Sequence, residues 1–326
     1  MNITRFLMMT LICCVLIVCA KEEPVKLRGS VFGTTYSIIY YSTTNYEIEI
    51  DNLFTKVNTS LSTYMYTSDI SRINRGEKNI IADSLFKEVF QKSARIYKET
   101  DGYFDPTVGI LVNAWGFGPK KPLNNIDTAK ISDLMKFVGF NKVRIENDTV
   151  VKKYKEIYFD FNSIAKGYGI DIVGRFLESK GIKNYMVEIG GEVRVRGMKP
   201  GSQLWKVEIE NPNTDGSRNA YTRLELTDKT VASSGNYRKY RITEDGQKYV
   251  HTINPKTGYA TESNLLAATV ITGLDCADAD AYATAFMAMG LEKTTAFLER
   301  KPALKVILIY VDDKGTLKAW TSNSGG

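Results

Sequence analysis

Four groups of residues in this 326-residue chain have the types and spacing to do chemistry. The first is Asp160-Phe-Asn-Ser-Ile-Ala-Lys166-Gly, which follows the apolar run Ile157-Tyr158-Phe159. That run predicts a strand. The spacing of Ile164, Tyr168, Ile172 and Phe176 predicts an amphipathic helix immediately after it. A strand turning sharply into a helix gathers free N–H groups and a positive dipole end, a setting that favours phosphate. Lys166 adds a mobile positive charge and Asp160 a carboxylate. The second group is Asp275-Cys-Ala-Asp278-Ala-Asp280-Ala-Tyr-Ala-Thr284. Asp280 and Thr284 stand four apart, on one helical face, and offer two hard oxygen ligands. These suit Mg²⁺ or Ca²⁺ completed by water, carbonyl and phosphate oxygens, and they do not suit zinc. Read alone, aspartates in a first helical turn also serve as caps.

The third group centres on His251, the only histidine, in His251-Thr-Ile-Asn-Pro-Lys-Thr-Gly258. A histidine in such a turn titrates near neutral pH and serves as acid or base, or stands idle on a loop. The fourth is aromatic: Tyr64, Trp115 and Phe117 lie in loop-like stretches where core periodicity does not require them. They are candidates to stack on a flat ring, with core packing as the alternative. A dinucleotide with a planar ring would use all four groups.

The elements that must position these residues mix strands and helices without strict βαβ alternation. Gly29–Tyr41 reads as a strand. Ile48–Leu61 reads as a helix, and a helix capped by Asp83 follows and ends at Asp101-Gly102. Phe104 to Pro119 reads as loop, and Ile131–Val138 as a short helix. Strands are expected at Tyr185–Ile189, Val193–Arg196, Trp205–Glu210, Leu224–Leu226 and Tyr237–Thr243. Helices are expected at Ala277–Met289 and Thr294–Arg300, then a hairpin from Leu304–Val311 to Leu317–Trp320. The expected class is α+β with antiparallel sheet in the second half, in a single unit after the leader.

Composition is that of a folded globular protein: 43% hydrophobic, 25% charged, net charge +6. No run of Lys or Arg reads as a nucleic-acid patch. Arg5 precedes an uncharged run from Phe6 to Ala20, which is short for a spanning helix and right for a signal peptide. The expectation is an exported protein, with residues 1–20 as leader and 21–326 as the folded body. Cys13, Cys14 and Cys19 lie in the leader, so Cys276 alone belongs to the body and no disulfide framework is expected. Leu16-Ile17-Val18-Cys19 resembles a lipoprotein cleavage box, with Cys19 as the lipidated residue that would tether the protein to a membrane on the periplasmic side.

Taken in order, the chain resembles the bacterial FAD:protein FMN transferases, the ApbE family of flavin-transferring lipoproteins. The matching stretches include Gly33-Thr-Thr-Tyr36, Leu61-Ser-Thr-Tyr64, Asp69-Ile-Ser-Arg-Ile-Asn74 and Phe104-Asp-Pro-Thr-Val-Gly109. They continue with Leu111-Val-Asn-Ala-Trp-Gly-Phe-Gly118, Asp160 to Gly167, Glu188-Ile-Gly-Gly191, Ser233-Ser-Gly235, His251 to Gly258 and Ala279-Asp-Ala-Tyr-Ala-Thr284. The resemblance implies an α+β fold with mixed or antiparallel sheets and packed helices, related to the T-fold. It implies that Phe32, Tyr64 and the Trp115-Gly116-Phe117 loop contact the flavin, and that Asp160, Lys166 and the backbone near Ile253 bind FAD. It implies that Asp280 and Thr284 hold Mg²⁺ (or Ca²⁺) with a carbonyl near Ser163, and that His251 and Lys166 are catalytic.

The implied reaction moves FMN from FAD to a Thr or Ser of another protein, releasing AMP. The implied acceptor sequence is Asp/Ser-Gly-Ala-Thr-x-Ser/Thr, of the type found in redox-pump subunits. Phe32 stands where many members carry Met, and Ala283 where some carry a second metal-side Asp. An FAD diphosphatase using water, and a non-catalytic FAD-binding lipoprotein, are the alternatives the same residues leave open.

Overall fold

The computed structural model describes residues 23–123, 126–212, 219–236, 240–242, 248–260 and 263–322. Residues 1–22, with Cys19, lie outside the described residues, as do 237–239 and Thr243 of the strand expected at Tyr237–Thr243. In chain order the strands are β1 (Pro24–Val31), β2 (Thr34–Tyr41), β3 (Val143–Glu146), β4 (Thr149–Lys152), β5 (Tyr185–Ile189), β6 (Glu192–Arg196) and β7 (Trp205–Glu210). They continue with β8 (Ala220–Leu226), β9 (Lys229–Gly235), β10 (Tyr240–Ile242), β11 (Lys248–Val250), β12 (Leu265–Thr272), β13 (Lys305–Val311) and β14 (Leu317–Thr321). The helices are α1 (Glu47–Leu61), α2 (Asp69–Asn74), α3 (Ser84–Glu99), α4 (Gly109–Ala114), α5 (Thr128–Met135), α6 (Ala165–Ser179), α7 (Cys276–Met289) and α8 (Leu291–Leu298).

One eight-stranded sheet, ordered β1-β2-β5-β6-β9-β12-β13-β14, organises the chain. Every neighbouring pair in it is antiparallel. The α+β class read from the sequence is the class observed. Strand alternation sends side chains to two different cores. On β9 and β12, Ala232, Ala268 and Val270 join the large core with Phe86, Phe159 and Phe286. Val231, Ala267 and Ile271 instead meet Trp205, Val207 and Ile209 of the β7–β8 hairpin. That hairpin therefore covers the sheet face opposite the helices.

Several expected elements are redrawn. Gly29–Tyr41 is two strands joined at Phe32-Gly33, both at positive φ (52° and 75°), the geometry of a two-residue hairpin turn. The apolar alternation continues through the turn, and Phe-Gly lacks the Asn-Gly signature that would have marked it. Ile157–Phe159 forms no ladder strand, only a single bridge from Tyr158 to Val108. A buried extended segment and a strand carry the same apolar signal. The expected loop from Phe104 to Pro119 contains α4, and the helix expected at Ile131–Val138 begins earlier, where the Asp127 carboxylate accepts from the Lys130 N–H. The central strands β9 and β12 were not anticipated. Lys-Thr-Val-Ala-Ser-Ser-Gly carries little β signal, and β12 is buried on both faces, so it shows no alternation.

Helices α6 and α7 meet at Gly167. A Cβ there would stand 2.5 Å from the Cys276 carbonyl oxygen and 2.7 Å from the Ala277 nitrogen. Both are backbone atoms that cannot swing away. Four residues on, the buried Asp171 carboxylate accepts the N–H groups of Cys276 (2.8 Å) and Ala277 (2.9 Å). The start of α7 is thus capped by another helix, while its own N-cap residue, Asp275, makes no side-chain cap bond. Arg194 bridges Asp171 (2.7 Å) and Asp275 (3.0 Å), closing the network. Replacing Gly167 by Ala is expected to force the helices apart at a cost of about 1–3 kcal/mol. Denaturant unfolding would measure this, and an unchanged midpoint would refute the contact's importance.

Candidate active site

The α6–α7 contact brings two of the sequence-predicted groups together. Lys166, one residue before Gly167, forms an ion pair with Glu192 of β6. Asp280, one turn into α7, accepts the Gly167 N–H at 3.3 Å. A first-turn N–H of α6, expected to face phosphate, is therefore engaged by a protein carboxylate. Burial works against the Lys166 charge, but the Glu192 and Asp280 carboxylates outweigh it and hold the amine protonated. Lys166 is placed as a fixed positive charge, not as a proton carrier.

Burial and the adjacent Asp280 carboxylate push Glu192 well above the ordinary carboxylate range, against the pull of Lys166. Burial pushes Asp280 the same way, with Lys166 opposing. Two like charges at one buried point share a proton or take up a cation. Glu192 Oε2 accepts no N–H or hydroxyl hydrogen bond, which leaves it facing that choice. Thr284, one turn beyond Asp280, stands with its Oγ1 3.2 Å from Ser234 Oγ. Ala283 is buried in the large core, so no carboxylate is supplied from that position.

Asp160 is fixed by its neighbours. The Asn74 side chain pairs with the backbone of Phe159 like a strand residue: its Nδ2 donates to the Phe159 carbonyl (2.9 Å) and its Oδ1 accepts the Phe159 N–H (2.7 Å). The Asp160 N–H donates to the Pro106 carbonyl (2.8 Å), and its carboxylate accepts the Asn162 N–H (2.8 Å). Gly109 lies so close to the Tyr158 carbonyl that a Cβ would stand 2.6 Å away.

These side chains open into one cleft of about 1270 Å³. Of the predicted residues, Phe32, Tyr64, Phe117, Asp160, Ser163, Lys166, His251, Ile253, Asp280 and Thr284 line it. Trp115 and Gly116 do not. Trp115 is buried in a satellite core with Leu111, Ile131 and Ile253, and its Nε1 donates to the Gly258 carbonyl (2.9 Å). It braces the His251–Gly258 turn and does not form a wall. Gly116 supplies a positive φ of 78° that turns the chain between Trp115 and Phe117. Phe117 stands edge-on to the His251 ring, with centroids 6.5 Å apart. Tyr64 is 61% exposed at the rim, its hydroxyl 3.5 Å from the Phe117 carbonyl. Phe32 holds a left-handed backbone (φ 52°) at the β1–β2 tip and lays its ring against Gly169, where a Cβ would sit 2.5 Å from Phe32 Cε2. Glycine or asparagine would hold that turn at less cost, so strain is retained where the ring faces the cleft.

Sequence reasoning missed Glu192, Asn74 and Asp171 as parts of this arrangement. Glu192 had one available signal, an acid directly after Gly190-Gly191 in an otherwise apolar strand pair. Asn74 acts through a contact 85 positions away in the chain, and Asp171 holds the start of α7 through contacts 105 and 106 positions away.

The antiparallel α+β scaffold is shared with solved flavin transferases. The ApbE flavin transferase of Vibrio cholerae superposes with a TM-score of 0.82 at 35% identity, covering 93% of this chain and 98% of that one. The flavinyl transferase ApbE of Pseudomonas stutzeri, in its apo form, also gives 0.82, at 29% identity over 93% and 96%. The FAD:protein FMN transferase of Haemophilus influenzae is 36% identical over 316 residues, 91% of this chain and 90% of that protein. The model of the ApbE family matches residues 32–308, and the chain belongs to that family.

The raised carboxyls give a pH signature. The Glu192–Asp280 pair shares a proton in the folded protein, with Glu192 raised to about 8 from about 4.5 when unfolded. Between those values the folded state holds more protons, so the stability of the metal-free protein falls as pH rises. Glu192→Gln removes one titrating member, and the decline from pH 5.5 to 8 is expected to be shallower in denaturant titrations. Parallel curves for the two proteins would contradict the assignment.

Proposed function

We propose that this chain is an FAD:protein FMN transferase that cleaves FAD, attaches FMN to a Thr or Ser of an acceptor protein and releases AMP. The observation that carries this reading is the meeting of His251 with the Lys166–Glu192–Asp280 cluster in one cleft whose volume of about 1270 Å³ has room for a dinucleotide. The acceptor hydroxyl forms a bond to the FMN-side phosphorus, and the bond from that phosphorus to the bridging oxygen breaks, so the oxygen leaves on AMP. The hydroxyl proton goes to His251. Lys166 is a fixed cation against the charge on the diphosphate. Phe32, Tyr64 and Phe117 offer flat surfaces to the ring system.

The donor set fits Mg²⁺. Asp280 and Thr284 present hard oxygens on successive turns, Ser163 lines the same cleft and would add a backbone carbonyl, and Glu192 Oε2 accepts no N–H or hydroxyl hydrogen bond. Among the described residues no cluster of three His, Cys, Asp or Glu forms a cage. Such a sparse set suits a cation that shares its coordination with substrate phosphates. When bound, Mg²⁺ would neutralise diphosphate charge and assist the leaving phosphate.

The acceptor read from the resemblance is an Asp/Ser-Gly-Ala-Thr-x-Ser/Thr segment of a redox-pump type subunit. Export, with a lipid on Cys19 holding the enzyme at the membrane surface, completes the reading. Among the described residues no helix is long and apolar enough to cross a membrane.

Incubation with FAD, Mg²⁺ and an acceptor domain carrying that motif is expected to add one FMN to the acceptor by intact-protein mass spectrometry, with AMP released. AMP and free FMN without a modified acceptor would instead support a diphosphatase, and intact bound FAD a carrier. His251→Ala is expected to keep FAD binding while transfer falls roughly 10²-fold or more; undiminished transfer would remove it from the mechanism. Asp280→Ala is expected to shift the Mg²⁺ titration of transfer to sharply higher concentrations. An unmoved titration would take Asp280 out of the metal site.

A further inference from the structure

The central sheet contains a gap beside the reactive groups. Strand β9 pairs with β12 along Thr230 to Gly235. On its other side it pairs with β6 only from Lys229 to Val231. Strand β6 starts at Glu192, immediately after the turn at Gly190 and Gly191 (φ 62° and 94°), which carries the chain away to β5. Beside Ser233, Ser234 and Gly235, no strand among the described residues continues the ladder. A strand edge left open is a template for another chain.

This edge is not on the rim of the sheet. Ser233, Ser234, Gly235, Gly190 and Gly191 all line the cleft. The cleft passes the gap and reaches the opposite face, where Ile209 of β7 and Thr269 of β12 line it. Its 1270 Å³ exceeds the roughly 300–1,000 Å³ usual for a small-molecule pocket. Ser234 turns toward α7, 3.2 Å from the Thr284 hydroxyl, while Ser233 turns the other way, 2.8 Å from Thr269. A chain laid along this edge would therefore place alternate side chains against the metal-side residues and against the Ser233–Thr269 pocket.

We propose that Ser233–Gly235 is the docking edge for the acceptor polypeptide, which adds there as a short extended strand in the space that β6 leaves. The proposal rests on the transferase reading and specifies how its second substrate binds. Main-chain hydrogen bonds would hold the segment, and the target hydroxyl would point to the Thr284 side. The flanking residues would have to be small, because the gap is walled by two glycine turn residues and two serines. A folded surface cannot enter the space, so the acceptor presents an extended loop or strand.

Amide exchange on the full-length protein carrying FAD and Mg²⁺ tests this, with an acceptor domain whose target Thr is replaced by Ala. Adding the domain is expected to slow exchange across 232–236 by about tenfold or more. Protection confined to other segments would overturn the proposal, as would equal protection by FAD alone. Independently, Ser233→Leu fills the space beside the edge while leaving its backbone groups in place, and is expected to raise KM for the acceptor about tenfold with FAD affinity retained. An unchanged KM would also overturn it. If the unaltered protein releases AMP yet labels no acceptor, the transferase reading fails and this proposal with it. Transfer that proceeds without protection at the edge removes only the docking site.

Discussion

The site depends on how closely α6 and α7 approach. The first turn of α6 holds Lys166, and α7 holds Asp280 and Thr284. Nothing but hydrogen at Gly167 lets the two backbones touch at Cys276 and Ala277. Asp171 then fastens the pair by accepting both N–H groups that open α7, so the carboxylate that secures the fold lies five residues along the same helix from the lysine that faces the cleft. Burial and the neighbouring Asp275 push Asp171 up to about 6, against its two N–H donors and Arg194. Removing one member of such a network strands a buried charge, which is far costlier than the pair is stabilising. Lys92 and Arg175 extend the same network by holding Asp275, each at its second oxygen (2.7 and 2.6 Å). The charges behind the site are thus nearly all committed to one another, while those facing the cleft are left in mutual conflict.

That division matters chemically. Glu192 and Asp280 stand together beside the Lys166 cation. A protein rarely keeps two buried carboxylates in contact unless a proton, a metal or a reacting group settles the excess charge. The aromatic side of the cleft is built in a contrasting way. Phe117 is positioned by Trp115 and the turn after His251, and Phe32 by a strained hairpin tip resting on Gly169. One half of the cleft is tuned for charge and the other for a flat apolar surface.

Much of this was legible in the sequence because chemistry there is local. Asp280 and Thr284 declare a shared helical face by spacing alone, and the Asp160–Gly167 stretch announces a tight entry into a helix. The long helices and the antiparallel character also follow from periodicity. What the sequence withheld is mostly non-local. Trp115 looks like a stacking residue until the Gly258 carbonyl is seen to claim its N–H. Glu192 looks like the start of a strand until the fold lays it against Lys166. Strands β9 and β12 run through the middle of the sheet, yet one is spelled in serine and threonine and the other is apolar throughout. Tertiary context, not alternation, makes them strands.

The α6–α7 crossing also settles the fate of the thiol at its centre. Cys276 is fully buried where the helices touch, with its Sγ 3.8 Å from the Val193 carbonyl. Burial pushes it well above the ordinary thiol range, and the nearby carboxylates of Asp171, Glu192 and Asp280 add to the effect. Only the thiolate reacts with oxidants, alkylating agents or disulfides, and this one is both protonated and out of reach. The Cys276 sulfur, buried behind the reactive cluster, is therefore chemically silent. In the folded state this thiol is closed to disulfide exchange.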